Sequence, residues 1–165
     1  MARIKENKRV LNSFKLAWEG LSYVLSSQIN MKIHFFVAFF ALILAMWVDL
    51  PFSQFVWVLF SIFFVLCMET INTAVERTVD LITSDYHPLA KLAKDISAGM
   101  VLLASLFAML VGLLVFTEPV LSQFGLQLPF SVHYMAAAIT ILFLWIIIIG
   151  GIRRRGNHHG PKYDH

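Results

Sequence analysis

The chain has 165 residues, of which 59% are hydrophobic and only 14% charged, with a formal net charge of +3. A mean hydropathy of +0.75 is too apolar for an ordinary soluble domain of this size and makes the lipid bilayer its expected solvent. The sequence pI near 9.2 does not signal nucleic acid, because the basic residues flank apolar stretches instead of forming a stripe, and anionic lipid headgroups are their expected partner.

In chain order, the first fifteen residues hold Arg3, Lys5, Lys8, Arg9 and Lys15. They lead into an amphipathic segment, not into a short apolar core with a cleavage site, so no signal peptide is expected and the start should stay in the cytoplasm. From Val10 to Leu25 apolar residues recur at Val10, Phe14, Ala17, Trp18, Leu21, Val24 and Leu25, with Lys8, Arg9, Lys15 and Glu19 elsewhere. That spacing predicts a helix over about 5–27 lying in the interface plane. A core helix of a soluble domain would show the same pattern, but no soluble domain follows for it to pack on.

Four apolar stretches follow, at about 33–50, 52–82, 96–116 and 132–152; all but the first, which is marginal, meet the length of roughly 20 residues that a membrane-spanning helix needs. Asp49, Pro51 and Ser53 are expected to form the first outer turn, and Glu118, Pro119 and the segment to Pro129 the second. Both lack Lys and Arg, whereas Arg153, Arg154 and Arg155 close the last stretch, which predicts that both termini are cytoplasmic. The single Cys67 excludes a disulfide within the chain. The expected fold class is therefore an all-α, polytopic membrane helix bundle: an amphipathic surface helix, three spans within residues 1–117, and one extra C-terminal span within residues 118–165. His158, His159 and His165 in the tail read as solvated, not as a metal site.

The second span changes character after Met68. Glu69, Asn72, Glu76 and Asp80 follow at intervals of three, four and four, which at about 100° per residue places them within roughly 80° of one another on a helix. Ionisable groups at membrane depth cost several kcal/mol unless paired, hydrated or metal-bound. Glue between helices and a proton or cation path both account for such a stripe. The abrupt apolar-to-polar change at Glu69 argues against a continuous pore.

Beyond the stripe, Thr83 to Pro88 reads as a cytoplasmic turn, and Lys91, Lys94 and Asp95 lead into the third span. Phosphoryl transfer needs a base for the alcohol proton, carboxylates for a divalent metal and cations for the developing charge, and all three kinds of group are present. Singly, Asp95 also reads as a helix cap and Lys94 as a snorkelling lysine; only the combination favours chemistry. No GxxxxGK loop or kinase glycine loop occurs, so a nucleotide site would be built from helix ends and side chains.

The run from Glu69 to Asp80 resembles the signature of the bacterial diacylglycerol kinase and undecaprenol kinase family: Glu, any, aliphatic, Asn, Ser/Thr, Ser/Ala, aliphatic, Glu, any, any, aliphatic, Asp. The resemblance continues through Asp85-Tyr86-His87, Pro88-Leu89-Ala90-Lys91, Ala93-Lys94-Asp95 and Ala98-Gly99, more weakly back through Trp18, Gly20, Asn30 and Ile33-His34, and covers about residues 5–116. His87 to Lys91 and Ile33-His34 are similar to the Gram-positive branch, which acts on undecaprenol.

The resemblance implies an ATP-dependent kinase of a lipid alcohol in the bacterial plasma (inner) membrane, a homotrimer with active sites between subunits at the cytoplasmic surface, and a requirement for Mg²⁺ or Mn²⁺. Carried over by position, Glu69 would be the catalytic base and Glu76 a metal ligand. Asp85, Tyr86, His87, Lys94 and Asp95 would contact nucleotide, Asn72 and Asp80 would support the site, and Arg9 and Trp18 would lie on the lipid and phosphate side. Two features depart from the family. Gln28 stands where a glutamate normally shares the metal, and an amide oxygen brings no charge; the fourth span is an addition. Together they suggest a second reading, a catalytically impaired homologue acting as a membrane scaffold or regulator.

Overall fold

A computed structural model describes residues 2–126, 134, 137–143 and 145. Four helices follow in order, α1 over Ala2–Ser27, α2 over Ile29–Trp47, α3 over Phe52–Ile82 and α4 over Pro88–Gln123, with no strand among the described residues. The last three are long and apolar enough to cross a membrane. Most of the additional stretch at 132–152, together with Arg153, Arg154, Arg155, His158, His159 and His165, lies outside the described residues; of that stretch, 137–143 are helical.

The breaks between helices have local causes. Gln28 takes an extended backbone, φ −97° and ψ 122°, between α1 and α2, so α2 starts earlier than its apolar stretch does. At the other end of α2, Asp49 adopts a positive φ of 51°. Its N–H donates to the Met46 carbonyl at 3.3 Å and that of Leu50 to Ala45 at 3.0 Å. This is a Schellman termination with aspartate, one of the side chains that tolerates the left-handed region, at the position usually given to glycine. Pro51 follows at once and cannot continue the helix, which starts α3 on its other side.

The membrane-facing and packed surfaces separate along each span. Phe36, Phe39 and Phe63 are exposed, as side chains meeting acyl chains should be. The covered face of α3 runs Val58, Ser61, Val65, Glu69, Asn72 and Thr73, one helical stripe that begins apolar and ends polar. Ser61, Thr70, Thr73 and Thr78 turn their hydroxyls back onto carbonyls of their own helix, at 2.8–3.0 Å, so these groups demand no partner from lipid.

Helix α4 is longer than its apolar stretch at both ends. Pro88 occupies its first position, where a missing N–H costs nothing, and the His87 Nδ1 accepts from the Leu89 N–H at 3.2 Å, as an N-cap side chain does. Glu118 and Pro119, expected in an outer loop, lie inside the helix instead. The turn comes at Gly125, φ 68°, where the N–H groups of Gly125 and Leu126 donate to Ser122 and Leu121. The chain divides into two compact units, Met1–Val111 and Gly112–His165, and every residue of the polar stripe and of the start of α4 belongs to the first.

Candidate functional site

The four stripe residues lie on one helix, in the second half of α3. At about 1.5 Å per residue, Glu69 sits roughly 26 Å along α3 from its first residue and Asp80 roughly 42 Å, where a hydrocarbon core is about 30 Å thick. Burial follows the same gradient: Glu69 is 1% exposed and Asn72 5%, Glu76 is half-buried and Asp80 exposed.

Glu69 is enclosed by α2 as well as by its own helix. Asn30 and His34, both on α2, and Glu76 on α3 are the polar neighbours of its carboxylate. Its Oε2 is buried with no hydrogen-bond partner, an orphaned oxygen in a setting where nearly all buried polar atoms are satisfied. A buried carboxylate oxygen left open is suited to receiving a proton from a bound molecule. Asn30 and His34 mark the resemblance in the sequence, but nothing in their spacing assigns them a place beside Glu69.

Seven residues on, Glu76 is held by Asn72, whose Nδ2 donates to its Oε1 at 3.2 Å. The other end of the Asn72 amide reaches α4: Ser97 Oγ, on a residue 1% exposed, donates to Asn72 Oδ1 at 2.6 Å. Ser97 is a member of this network that the sequence does not single out, since a serine at the start of an apolar run reads as a small packing residue. The last stripe residue completes the junction, with Lys94 Nζ donating to Asp80 Oδ1 at 2.5 Å. Lys94 thus pairs with a carboxylate fourteen residues back in sequence, across the turn.

The remaining candidates make contacts of their own, apart from this junction. Asp95 lies inside α4, so it is not a helix cap, and pairs with Lys91 at 3.2 Å on the exposed surface. Asp85 donates its N–H to Thr83 Oγ1 in the turn, Tyr86 is 80% exposed, and His87 caps α4. Arg9 and Trp18 are exposed on α1. Gln28 is half-buried at the α1–α2 break and makes no side-chain capping bond. Arg77, one residue from Glu76, stacks over the Tyr23 ring at 5.4 Å and so links α3 to α1.

Among the described residues no three His, Cys, Asp or Glu side chains converge as a metal cage. Glu76, half-buried on α3, offers a carboxylate of the kind that Mg²⁺ takes alongside its own waters.

Comparison with known proteins gives the arrangement a context. The family model for prokaryotic diacylglycerol kinase matches residues 15–116. A diacylglycerol kinase of Synechocystis is 39% identical over 114 residues, 68% of this chain and 65% of that protein. An undecaprenol kinase of Bacillus subtilis is 36% identical over 111 residues, 67% of this chain and 90% of the relative. A diacylglycerol kinase of Escherichia coli is 28% identical over 102 residues, covering 62% and 84%. The match thus spans just under two thirds of the Synechocystis protein and most of the other two.

Proposed function

Because the chain belongs to the prokaryotic diacylglycerol kinase family, a family of membrane lipid kinases, we propose that it transfers the γ-phosphoryl group of ATP to the hydroxyl of a lipid alcohol. The reaction takes place at the cytoplasmic face of a bacterial plasma membrane, with both termini on that side, in a homotrimer. Undecaprenol is preferred over diacylglycerol, a choice supported by the wording of His87 to Lys91 and by Ile33-His34.

The observation that carries this reading is the orphaned Oε2 of Glu69 at the inner end of α3. The lipid hydroxyl gives its proton to that oxygen as the alkoxide attacks the γ-phosphorus; the bond from γ-phosphorus to the bridging oxygen breaks, and ADP leaves with the electron pair. Glu76, with Gln28 nearby in role, would hold Mg²⁺ or Mn²⁺, and the cation when bound neutralises charge on the phosphate oxygens. Asn72 keeps Glu76 aimed by its Nδ2–H bond. Lys94, steered by Asp80, offers a positive charge to the phosphates, and Asp85, Tyr86, His87 and Asp95 line the exposed nucleotide side. Arg9 and Trp18 on α1 meet the lipid and its new phosphate.

The test is transfer of labelled phosphate from ATP to a panel of undecaprenol, other prenols and diacylglycerol by the full chain in detergent, with Mg²⁺ or Mn²⁺. Label on undecaprenol above all others supports the reading; label on no lipid alcohol under any metal overturns it. Gln28 supports a second reading, a noncatalytic scaffold, because a neutral amide stands where the family places a carboxylate. Under it the wild-type chain is inert and Gln28→Glu creates activity.

A further inference from the structure

We propose that Ser97 is a positioning residue for the phosphoryl-transfer site: through Asn72 its hydroxyl holds the Glu76 carboxylate in place and ties it to the helix that carries Lys94 and Asp95. The inference rests on the reading of Glu76 as the carboxylate that holds the divalent cation. The catalytic assignment itself makes no use of Ser97.

Donors and acceptors fix how the Asn72 amide is turned. A carboxylate only accepts, so the side of the Asn72 amide that meets Glu76 must be its NH₂ group, as the 3.2 Å bond from Nδ2 to Oε1 has it. Turned the other way, the amide would set two acceptors against each other. The observed orientation therefore presents Oδ1 to α4, where it is buried and needs a donor. Ser97 Oγ supplies it at 2.6 Å, and at 1% exposure Ser97 leaves water little room to substitute. The same oxygen lies 2.9 Å from the Lys94 carbonyl, which seats the serine on the turn of α4 that projects Lys94. One hydroxyl thus sets the register between the residue aimed at phosphate and the residue aimed at metal.

Without the hydroxyl, Oδ1 becomes a buried acceptor lacking a donor, and the amide relieves this by rotating away from Glu76. A loss of one such bond corresponds to roughly a 3-fold to 10-fold change in an equilibrium. Ser97→Ala should weaken cation binding by that factor, raise the Mg²⁺ concentration for half-maximal rate in parallel, and leave the KM for lipid unchanged. Ser97→Thr, which keeps the hydroxyl, should restore wild-type values to within about twofold.

The deciding measurement is Mn²⁺ affinity by electron paramagnetic resonance, on the full chain in nanodiscs with a non-hydrolysable ATP analogue. Ser97→Cys, close in volume but a poor donor, stands in for alanine should that variant not fold. Equal Mn²⁺ affinity in wild type and Ser97→Ala, with Glu76→Gln binding weakly, overturns the role of Ser97 alone. A threonine variant as weak as alanine does the same, because it shows that volume and not the hydroxyl matters. If Glu76→Gln binds Mn²⁺ as tightly as wild type, the metal assignment of Glu76 falls and this inference falls with it.

Discussion

Helices α3 and α4 meet in two tiers of opposite chemistry. In one tier the Phe107 ring stands edge-on to Phe60 and Phe64, with centroids 6.3 and 6.0 Å apart. In the other, Asn72 meets Ser97 at 2.6 Å and Asp80 meets Lys94 at 2.5 Å. The same pair of helices provides both. The aromatic tier is adaptable van der Waals packing, which is what holds helices together where lipid removes the hydrophobic drive. The polar tier costs desolvation and is directional, which suits the role proposed for it. Substitutions in the polar tier should therefore act on rate and affinity, and those in the aromatic tier on stability.

The largest effect is expected at Glu69. Glu69→Gln removes the proposed proton acceptor and should lower kcat by about 10²–10⁴-fold, measured as phosphate transfer to the lipid alcohol that the wild type accepts. Stability should hold or rise, since a buried carboxylate is replaced by a neutral isostere. Retention of more than a tenth of the rate would assign the proton to another group. Next is Lys94→Met, which removes a cation from the phosphate side and leaves Asp80 unpaired. A loss of about 10–10²-fold in kcat/KM for ATP is expected, with the KM for lipid unchanged; a loss confined to lipid KM would break the assignment.

A smaller change is expected at Gln28. Gln28→Glu places a second carboxylate where only an amide oxygen is available, so the Mg²⁺ concentration for half-maximal rate should fall by several-fold, read from a metal titration. If wild type is already active and the variant is indistinguishable from it, the scaffold reading fails. If wild type is inert and the variant active, the scaffold reading holds for this chain and the kinase site is one residue from completion.

The stripe was legible because helical spacing alone places Glu69, Asn72, Glu76 and Asp80 on one face, and an apolar run that turns polar without a break keeps the helix going to Ile82. The ends of α4 were not. Glu118 and Pro119 look like a loop, yet proline is tolerated near the end of a membrane helix where few backbone bonds remain to be lost, and the helix runs on to Gln123. His87 reads in the sequence as a candidate nucleotide contact, whereas the structure shows it capping α4 through the Leu89 N–H, because capping depends on which residue follows Pro88 into the helix. The Ser97 partner of Asn72 and the Asn30 and His34 neighbours of Glu69, all on other helices, are tertiary facts. No periodicity within one segment reports which side chain of another segment will face it.

The smallest effect on catalysis is expected at Phe107, where the contrast between tiers is most exposed to refutation. Phe107→Leu removes two edge-to-face contacts, each worth about 0.5–1.5 kcal/mol, and leaves a side chain that still fills most of the volume. Reversible unfolding in mixed detergent should show a loss of about 1–2 kcal/mol, while the folded protein keeps kcat and both KM values within about twofold. A polar tier that depended on the aromatic one for its register would respond differently: the KM for ATP would rise as α4 shifted and Lys94 and Ser97 moved off Asp80 and Asn72. The ratio of stability loss to KM change in this one variant therefore measures how independently the hydrogen bonds at the start of α4 hold that helix in place.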